Sequence, residues 1–363
     1  MTTSSASLGT AVTTDPSAVT GPSAAAALAS ARCPVPTPRG ELGRAVAELL
    51  AGDPRTHPHD DVPGRARLDA LPRGAELLAD EDAMLTWFVL AELSGRGVEG
   101  VDDRWDEHPV VAALRASLGD LLEQAVRDRV GPVEACTAEE LPARIREELA
   151  AVDAPPLSTH LLTAGTLEQY RDLLRHRSAY HLREADPHTS AITRLGGHPK
   201  AALLEIQADE YGGGRVERMH STLFAEAMDA LGLDTRYGAQ VEHLPAVTLA
   251  WSNAMTLFAS RRRLRAAVVG HLVALECTSS VPNRRYADGL RRLGAEDRAA
   301  WFFDEHVEAD AVHEQVAIHD MAVSLVAAEP DQSVELLTGL RAALELDADL
   351  VRHLMDSWGV TTG

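Results

Sequence analysis

Hydrophobic positions along this chain recur at helical rather than alternating intervals. In 39-RGELGRAVAELLAG-52, Leu42, Val46, Leu49 and Leu50 fall on one face, and Gly52 followed by Pro54 marks a stop. The same spacing predicts helices over 76–97 and 109–130. After a proline-containing break at 152–158, it predicts a succession over 157–184, 199–231, 245–260, 262–279, 283–292, 295–326 and 331–357. No Val/Ile/Thr run alternates cleanly with polar residues, and aromatic residues make up only 4% of the chain, so strands are not expected. No repeat of solenoid length is visible. The expected fold class is all-α. Residues 1–38 are rich in Ala, Ser, Thr and Pro and bury too little to offset the cost of ordering, which predicts a disordered tail. The expected organisation is therefore that tail, an N-terminal helical region over 39–152, and a helical domain over 153–363.

One stretch breaks the helical pattern from inside. In 208-ADEYGGGRVERMH-220 three glycines interrupt a helix, each costing roughly 1 kcal/mol relative to alanine. Glu210 and His220 flank them. In an uninterrupted helix these two would stand about 15 Å apart with an angular offset near 80°, too far to share a metal site. Glycine tolerates a wide turn or an unwound link, so the run is expected to bring His220 back towards Glu210. The rival pairing is Glu217 with His220 at i, i+3, which leaves the glycines without a purpose.

Candidate chemistry concentrates downstream. In 305-EHVEADAVHEQ-315, His306, Asp310 and His313 lie within about 60° of one another on the helical wheel, among apolar or small neighbours such as Val307 and Ala311. Two imidazoles and a carboxylate converging from a buried face need a common partner, and a transition metal supplies one. Glu276 is the single acid in the otherwise apolar 268-VVGHLVALECTSS-280, a second ligand candidate. Glu184, ahead of Pro187, is a third on weaker grounds. Arg194, Asn253, Arg284, Arg285 and Tyr286 could grip a substrate but read more simply as surface or capping residues. The run 261-RRRLR-265 reads as a solvated helix start, and His57 and His59 as loop residues.

Composition narrows the setting. A net charge of −21 argues against nucleic acid or an anionic membrane as partner. Apolar residues, at 45%, are enough for a real core, yet no run is long enough for a membrane span. The three cysteines, Cys33, Cys136 and Cys277, form no CxxC pair, which suits a reducing cytoplasm.

Taken together, E-x9-H around DEYGGG, the lone helical Glu276 and HVEADAVH resemble the heme-oxygenase-like diiron oxidases, or iron-containing redox enzymes. The likeness spans roughly residues 160–357 and includes 184-EADPHTSAITRLGGHPKAALLEIQADEYGGG-214. Through 99-EGVDDRWDEHP-109, the N-terminal third resembles the helical preamble of longer members. The resemblance implies a heme-oxygenase-like helical bundle without heme. Two iron ions would be held by Glu210, His220, Glu276, His306, Asp310 and His313, with Glu184 as an added carboxylate near the oxygen chemistry. It implies dioxygen as cosubstrate and a small amine or amino-acid-derived substrate in specialised metabolism. Desaturation, decarboxylation or cleavage of a fatty or amino acid is the alternative outcome. An external electron donor and a homodimer are compatible expectations. A cofactor-independent enzyme or an iron-binding protein on the same bundle are the competing readings.

Overall fold

A computed structural model describes residues 32–360, apart from the side chains of residues 308–312. The expected tail thus falls largely outside the described residues. The part of it that is described, residues 32–38, is anchored to the fold: Cys33 is fully buried, and it pairs with the loop over residues 97–99 through its amide to the Gly97 carbonyl (2.9 Å) and its carbonyl to the Glu99 amide (2.9 Å). The packed chain therefore reaches back ahead of the expected start at residue 39. Composition missed this because a single buried thiol and two backbone bonds leave no hydropathy signal.

Helices of ten or more residues are α1 (Glu41–Leu50), α2 (Glu81–Glu92), α3 (Pro109–Val130), α4 (Leu141–Ala151), α5 (Leu167–His181), α6 (Gly197–Glu210), α7 (His220–Ala230), α8 (Ala246–Ser260), α9 (Arg265–Thr278), α10 (Ser280–Arg292), α11 (Trp301–Gln315) and α12 (Ser333–Ser357). No strand occurs among the described residues, where the Cys33–Val98 contact is an isolated bridge. The class is all-α, as the periodicity predicts.

Most departures from the predicted segments are breaks that local chemistry explains. The helix expected over 76–97 splits at Asp80, whose carboxylate caps the Ala83 amide of α2. The one expected over 157–184 splits at Thr166, where Thr166 and Gln169 form a reciprocal capping box. Helix α4 was not anticipated; its apolar contacts, Leu141 and Ile145, are too few to register as a stripe. Beyond α11 the chain widens into a π-helix over Val316–Val323 before a final turn at Ser324–Ala328.

At the centre of the bundle, α9 lies directly against α12. Small residues allow the approach: Gly270 and Ala267 of α9 meet Leu336 and Gly339 of α12 backbone to backbone. No single described helix is long and apolar enough to cross a membrane, and α9 owes its apolar character to burial in this core. The N-terminal helices are fastened to the bundle by ion pairs: Arg127 to Glu335 (2.8 Å), Arg129 to Asp349 (2.8 Å), and Arg341 to Glu148 (2.6 Å). The 261-RRRLR-265 run leads into α9 with Arg262 and Arg263 exposed, as expected, but it also joins this seam. Arg261 reaches Asp120 and Glu123 at 2.7 and 2.9 Å, and Arg263 also holds Glu123. Charges of one sign on the linker meet the opposite sign on α3, a pairing that sequence distance hides.

Candidate metal centre

The glycine run is an unwound link. Gly212, Gly213 and Gly214 all take positive φ (66°, 60° and 80°), and a Cβ on Gly212 would lie 2.6 Å from the Arg218 carbonyl carbon and the Met219 amide nitrogen. Only glycine accepts three such conformations in succession without a Cβ penalty. The chain doubles back so that Glu210, the last residue of α6, faces His220, the first residue of α7. Glu210 Oε2 lies 3.1 Å from His220 Nδ1. Glu217, the rival partner, is exposed on the link.

Six of the seven predicted residues converge in two buried groups. The ligand atoms of Glu184, His220 and His306 lie within 4.8 Å of one another, and so do those of Glu210, Glu276 and His313. The Glu210–His220 contact joins the two groups. The seventh residue, Asp310, lies in α11 between His306 and His313, and its side chain is outside the described set.

Each imidazole is set by what its other nitrogen touches. His306 Nδ1 donates to the Phe302 carbonyl (2.8 Å), which leaves Nε2 as the lone-pair atom, 3.6 Å from Glu184. His313 Nε2 donates to Asp209 (3.0 Å), leaving Nδ1 3.4 Å from Glu276. His181 Nδ1 donates to Glu184 Oε1 (2.7 Å) and is itself packed between the rings of Phe224 and Phe302. Such outer partners fix tautomer and orientation before any ion arrives. Sequence reasoning missed His181 and Asp209. The available signals were their positions, His181 one turn before Glu184 and Asp209 beside Glu210, but neither spacing separates a partner from a bystander.

Charge balance is tight. Burial pushes the Glu184 and Glu210 carboxyls up, but His181 beside the first and His220 beside the second outweigh it and hold both below the usual carboxylate range. Burial disfavours charge on His220 and His313 too. Glu210 overrides it for His220, and Glu276 with Asp209 raises His313 to about 9.

Within the two groups, four fully buried atoms have no hydrogen-bond partner among the described residues: Glu184 Oε2, both ring nitrogens of His220, and His313 Nδ1. An orphaned carboxylate oxygen and an orphaned imidazole nitrogen in one buried cluster cost free energy unless something between them accepts both lone pairs. A divalent transition metal does so, and the mixed nitrogen and oxygen donor set suits iron, manganese or zinc rather than calcium. The residues present therefore fit a two-metal centre.

Glu184 stands on an unusual turn. Ala185, the one non-glycine described residue with positive φ (74°), follows it. Strain of this kind persists where surroundings over-determine it. Arg183, buried, donates to the Ala179 carbonyl and Ser252 Oγ and faces Glu92 of α2 at 3.4 Å. On the other side Arg96 lies 3.5 Å from Asp186. The N-terminal region thus braces the turn that aims Glu184.

A cavity of about 370 Å³ opens onto Glu184, Glu210, Glu276 and His306. Of the five polar candidates named from sequence, Tyr286 lines it. Asn253 is a core tie to the Met84 carbonyl (2.9 Å), Arg194 binds the Ala259 carbonyl (2.5 Å), Arg285 reaches Ser158 Oγ (3.3 Å), and Arg284 is exposed. His57 and His59 lie in a loop, as expected, where both approach the His108 ring.

Two expected results follow from these surroundings. Replacing His181 with alanine frees Glu184 to rotate, and loss of an outer partner of this kind costs about 10–100-fold in metal affinity. Competitive ferrous titration of wild type and His181→Ala measures it, and equal affinities would remove His181 from the site. The second concerns His188, on the cavity wall 3.2 Å from His271. Burial lowers His188 to about 4, below its value of about 6.5 in the unfolded chain. Because the unfolded chain then binds more protons, stability is retained above about pH 6.5 and falls as pH drops towards 4. The His188 share of the loss between pH 7 and pH 5 is about 2 kcal/mol; His271 and His176, also lowered by burial, add their own, so urea unfolding at the two pH values should show a loss smaller by about that share in His188→Gln than in wild type.

A model of the family described as iron-containing redox enzyme matches residues 171–348. A nitrosourea synthase from Streptomyces achromogenes subsp. streptozoticus is 25% identical over 311 residues, covering 81% of this chain. The chain spans just under two thirds of that curated relative, 65% of its length. Among solved structures, a CADD-like protein of unknown function from Nostoc punctiforme PCC 73102 superposes with a TM-score of 0.47 and 18% identity, covering 61% of this chain and 97% of that one.

Proposed function

We propose, from residues 171–348 belonging to the family of iron-containing redox enzymes, that this chain is a non-heme diiron oxygenase that uses dioxygen to oxidise a small amine. The observation that carries the reading is the pair of three-residue clusters joined through Glu210 and His220. Glu184, His220 and His306 would hold one iron and Glu210, Glu276 and His313 the other, with Asp310 added from α11. Bound iron would supply the electrons for reducing dioxygen and the oxidising power directed at the substrate.

The chain's own residues set the conditions. His181 and Asp209 hold Glu184 and His313 in fixed orientations, so little reorganisation is needed when substrate enters. Phe224, Phe302 and Phe303 wall the cavity beside His306 and keep water from the reacting atoms. The carboxylates facing the cavity favour an approaching amine over an anion. The nitrosourea synthase among the relatives, whose product is a nitrogen compound, supports nitrogen as the atom oxidised. An external electron donor would restore the ferrous state between turnovers.

Anaerobic ferrous titration followed by mixing with oxygen tests the proposal. The expected result is two irons per chain and oxygen consumption accelerated by an amine substrate. A chain that loads two irons and never consumes oxygen is not an oxygenase.

A further inference from the structure

A second buried polar cluster begins one residue before Glu184. Arg183 faces Glu92 at 3.4 Å and donates to the Ala179 carbonyl (3.2 Å) and Ser252 Oγ (3.0 Å). Arg183 and Glu92 are both buried, and so is Tyr237, whose ring lies under the Arg96 guanidinium at 4.8 Å. Arg96 is also 3.5 Å from Asp186. Burial first, with Glu92 adding to it, holds the Tyr237 phenol and the Cys33 thiol well above their ordinary ranges, so one carboxyl group acts on both. A Cβ on Gly238 would lie 2.7 Å from Cys33 Sγ, which shows how closely the turn after Tyr237 packs on the N-terminal strap of residues 32–38.

The turn over residues 183–186 therefore serves two sides. Its ends, Arg183 and Asp186, are tied to the N-terminal region by Glu92 and Arg96, while Glu184 between them belongs to the group with His220 and His306. Ala185, at φ 74°, takes a backbone conformation disfavoured for any residue with a Cβ, so the turn keeps its shape through what holds its ends. The ties continue outward. The Gly97 amide donates to the Glu92 carbonyl (2.8 Å), and the Gly97 carbonyl accepts from the Cys33 amide (2.9 Å). Strap, loop, α2 and turn are linked in series from Cys33 through Gly97 and Glu92 to Arg183.

We propose that this series couples the metal centre to the N-terminal strap: Glu92 and Arg96 are positioning residues that aim Glu184 through Arg183 and Asp186, and metal binding in turn holds the strap closed over Cys33. The coupling rests on the metal-binding half of the function proposed above and not on its oxygen chemistry. A buried guanidinium that loses its carboxyl partner is left uncompensated, so the place of Arg183, and with it that of the next residue, depends on Glu92 staying where α2 puts it. Conversely, an ion that pins Glu184 restricts the residues on either side and disfavours conformations in which Arg183 leaves Glu92. Coupling of this kind is reciprocal. The factor by which a docked strap tightens metal binding is the factor by which metal tightens docking, ordinarily about 5–150-fold.

The test uses the full chain under nitrogen, with manganese(II) as the metal because it suits imidazole and carboxylate donors and binds thiols poorly, so it does not shield Cys33 directly. Labelling of Cys33 by N-ethylmaleimide is followed on its own peptide by mass spectrometry, and manganese affinity by the resonance signal of the free ion. Saturating manganese is expected to slow Cys33 labelling at least roughly 10-fold in wild type. In Glu92→Gln that protection should shrink to within about 2-fold while manganese affinity falls by about 10-fold. Arg96→Gln, on the more exposed tie, should show the same pattern at smaller amplitude, and it decides the matter if Glu92→Gln does not fold. A tie that only supports the fold would speed labelling equally with and without metal and leave the protection factor and the affinity at their wild-type values. That result, or a wild-type chain in which manganese does not slow Cys33 labelling, overturns the coupling. Oxygen consumption after ferrous loading is measured separately. Protection without oxygen consumption removes only the oxygenase reading, and normal oxygen consumption without protection removes only the coupling.

Discussion

Glu210→Ala is expected to lose tight iron binding at both clusters, not at one. Glu210 belongs to the group with Glu276 and His313, and its Oε2 also lies 3.1 Å from His220 of the other group, so its carboxylate joins the two. Removing it strips one group of a ligand and deprives buried His220 of the negative charge beside it. Losing an outer-sphere partner costs about 10–100-fold in affinity, so losing a ligand of one group that is also the partner of His220 in the other should cost more, roughly 10³-fold, with oxygen consumption falling in step. Glu210→Gln keeps the side chain's volume and separates loss of charge from loss of packing. Metal analysis after desalting decides the outcome: one tightly held iron remaining in Glu210→Ala would assign Glu210 to a single cluster.

Gly270→Ala should be among the most destabilising single-methyl additions in the chain. A Cβ at this position would stand 1.8 Å from the Leu336 carbonyl oxygen and 2.7 Å from its carbon. Neither backbone can yield locally, so α9 and α12 must separate along their contact. Overpacking a core ordinarily costs about 1–3 kcal/mol, and a clash with helix backbone belongs at or above the upper end. Because Glu276 lies less than two turns further along α9, the same shift displaces a cluster residue, and metal affinity should fall together with the melting temperature. Gly294→Ala serves as the contrast: no atom lies within 4 Å of its Cβ, and the positive φ (73°) alone should cost about 1 kcal/mol. Equal melting temperatures for the two variants would show that α9 and α12 can part without penalty.

Legibility in the sequence depended on whether a residue acts through its own helix or through another. His306 and His313 share a face by spacing alone, and both are buried where that spacing put them. Glu276 stood out as an acid in an apolar helix, and it is buried beside His313. The glycine run declared a break, because no helix tolerates three glycines without cause, and the direction of the break was inferred from what flanked it. Residues that work across elements stayed hidden. Asp209 is exposed over most of its side chain yet ends on His313, and Arg183 is inconspicuous until Glu92 of α2 lies beside it. The capping box at Thr166 and the cap at Asp80 were legible in type but lay under continuous hydrophobic patterns, which hid the breaks.

By itself the sequence determined that the chain is helical, that its candidate ligands are imidazole and carboxylate groups, and which helices carry them. Helical periodicity is a local property, set by side chains a turn apart on the same backbone. Only the tertiary structure decided that the candidates divide into two groups of three joined at Glu210, and that His181 and Asp209 orient them. Those facts rest on the way α5, α6, α7, α9, α11 and α12 are brought together. That arrangement is settled by backbone approaches such as Gly270 against Leu336 and by caps and ion pairs between residues far apart in the chain.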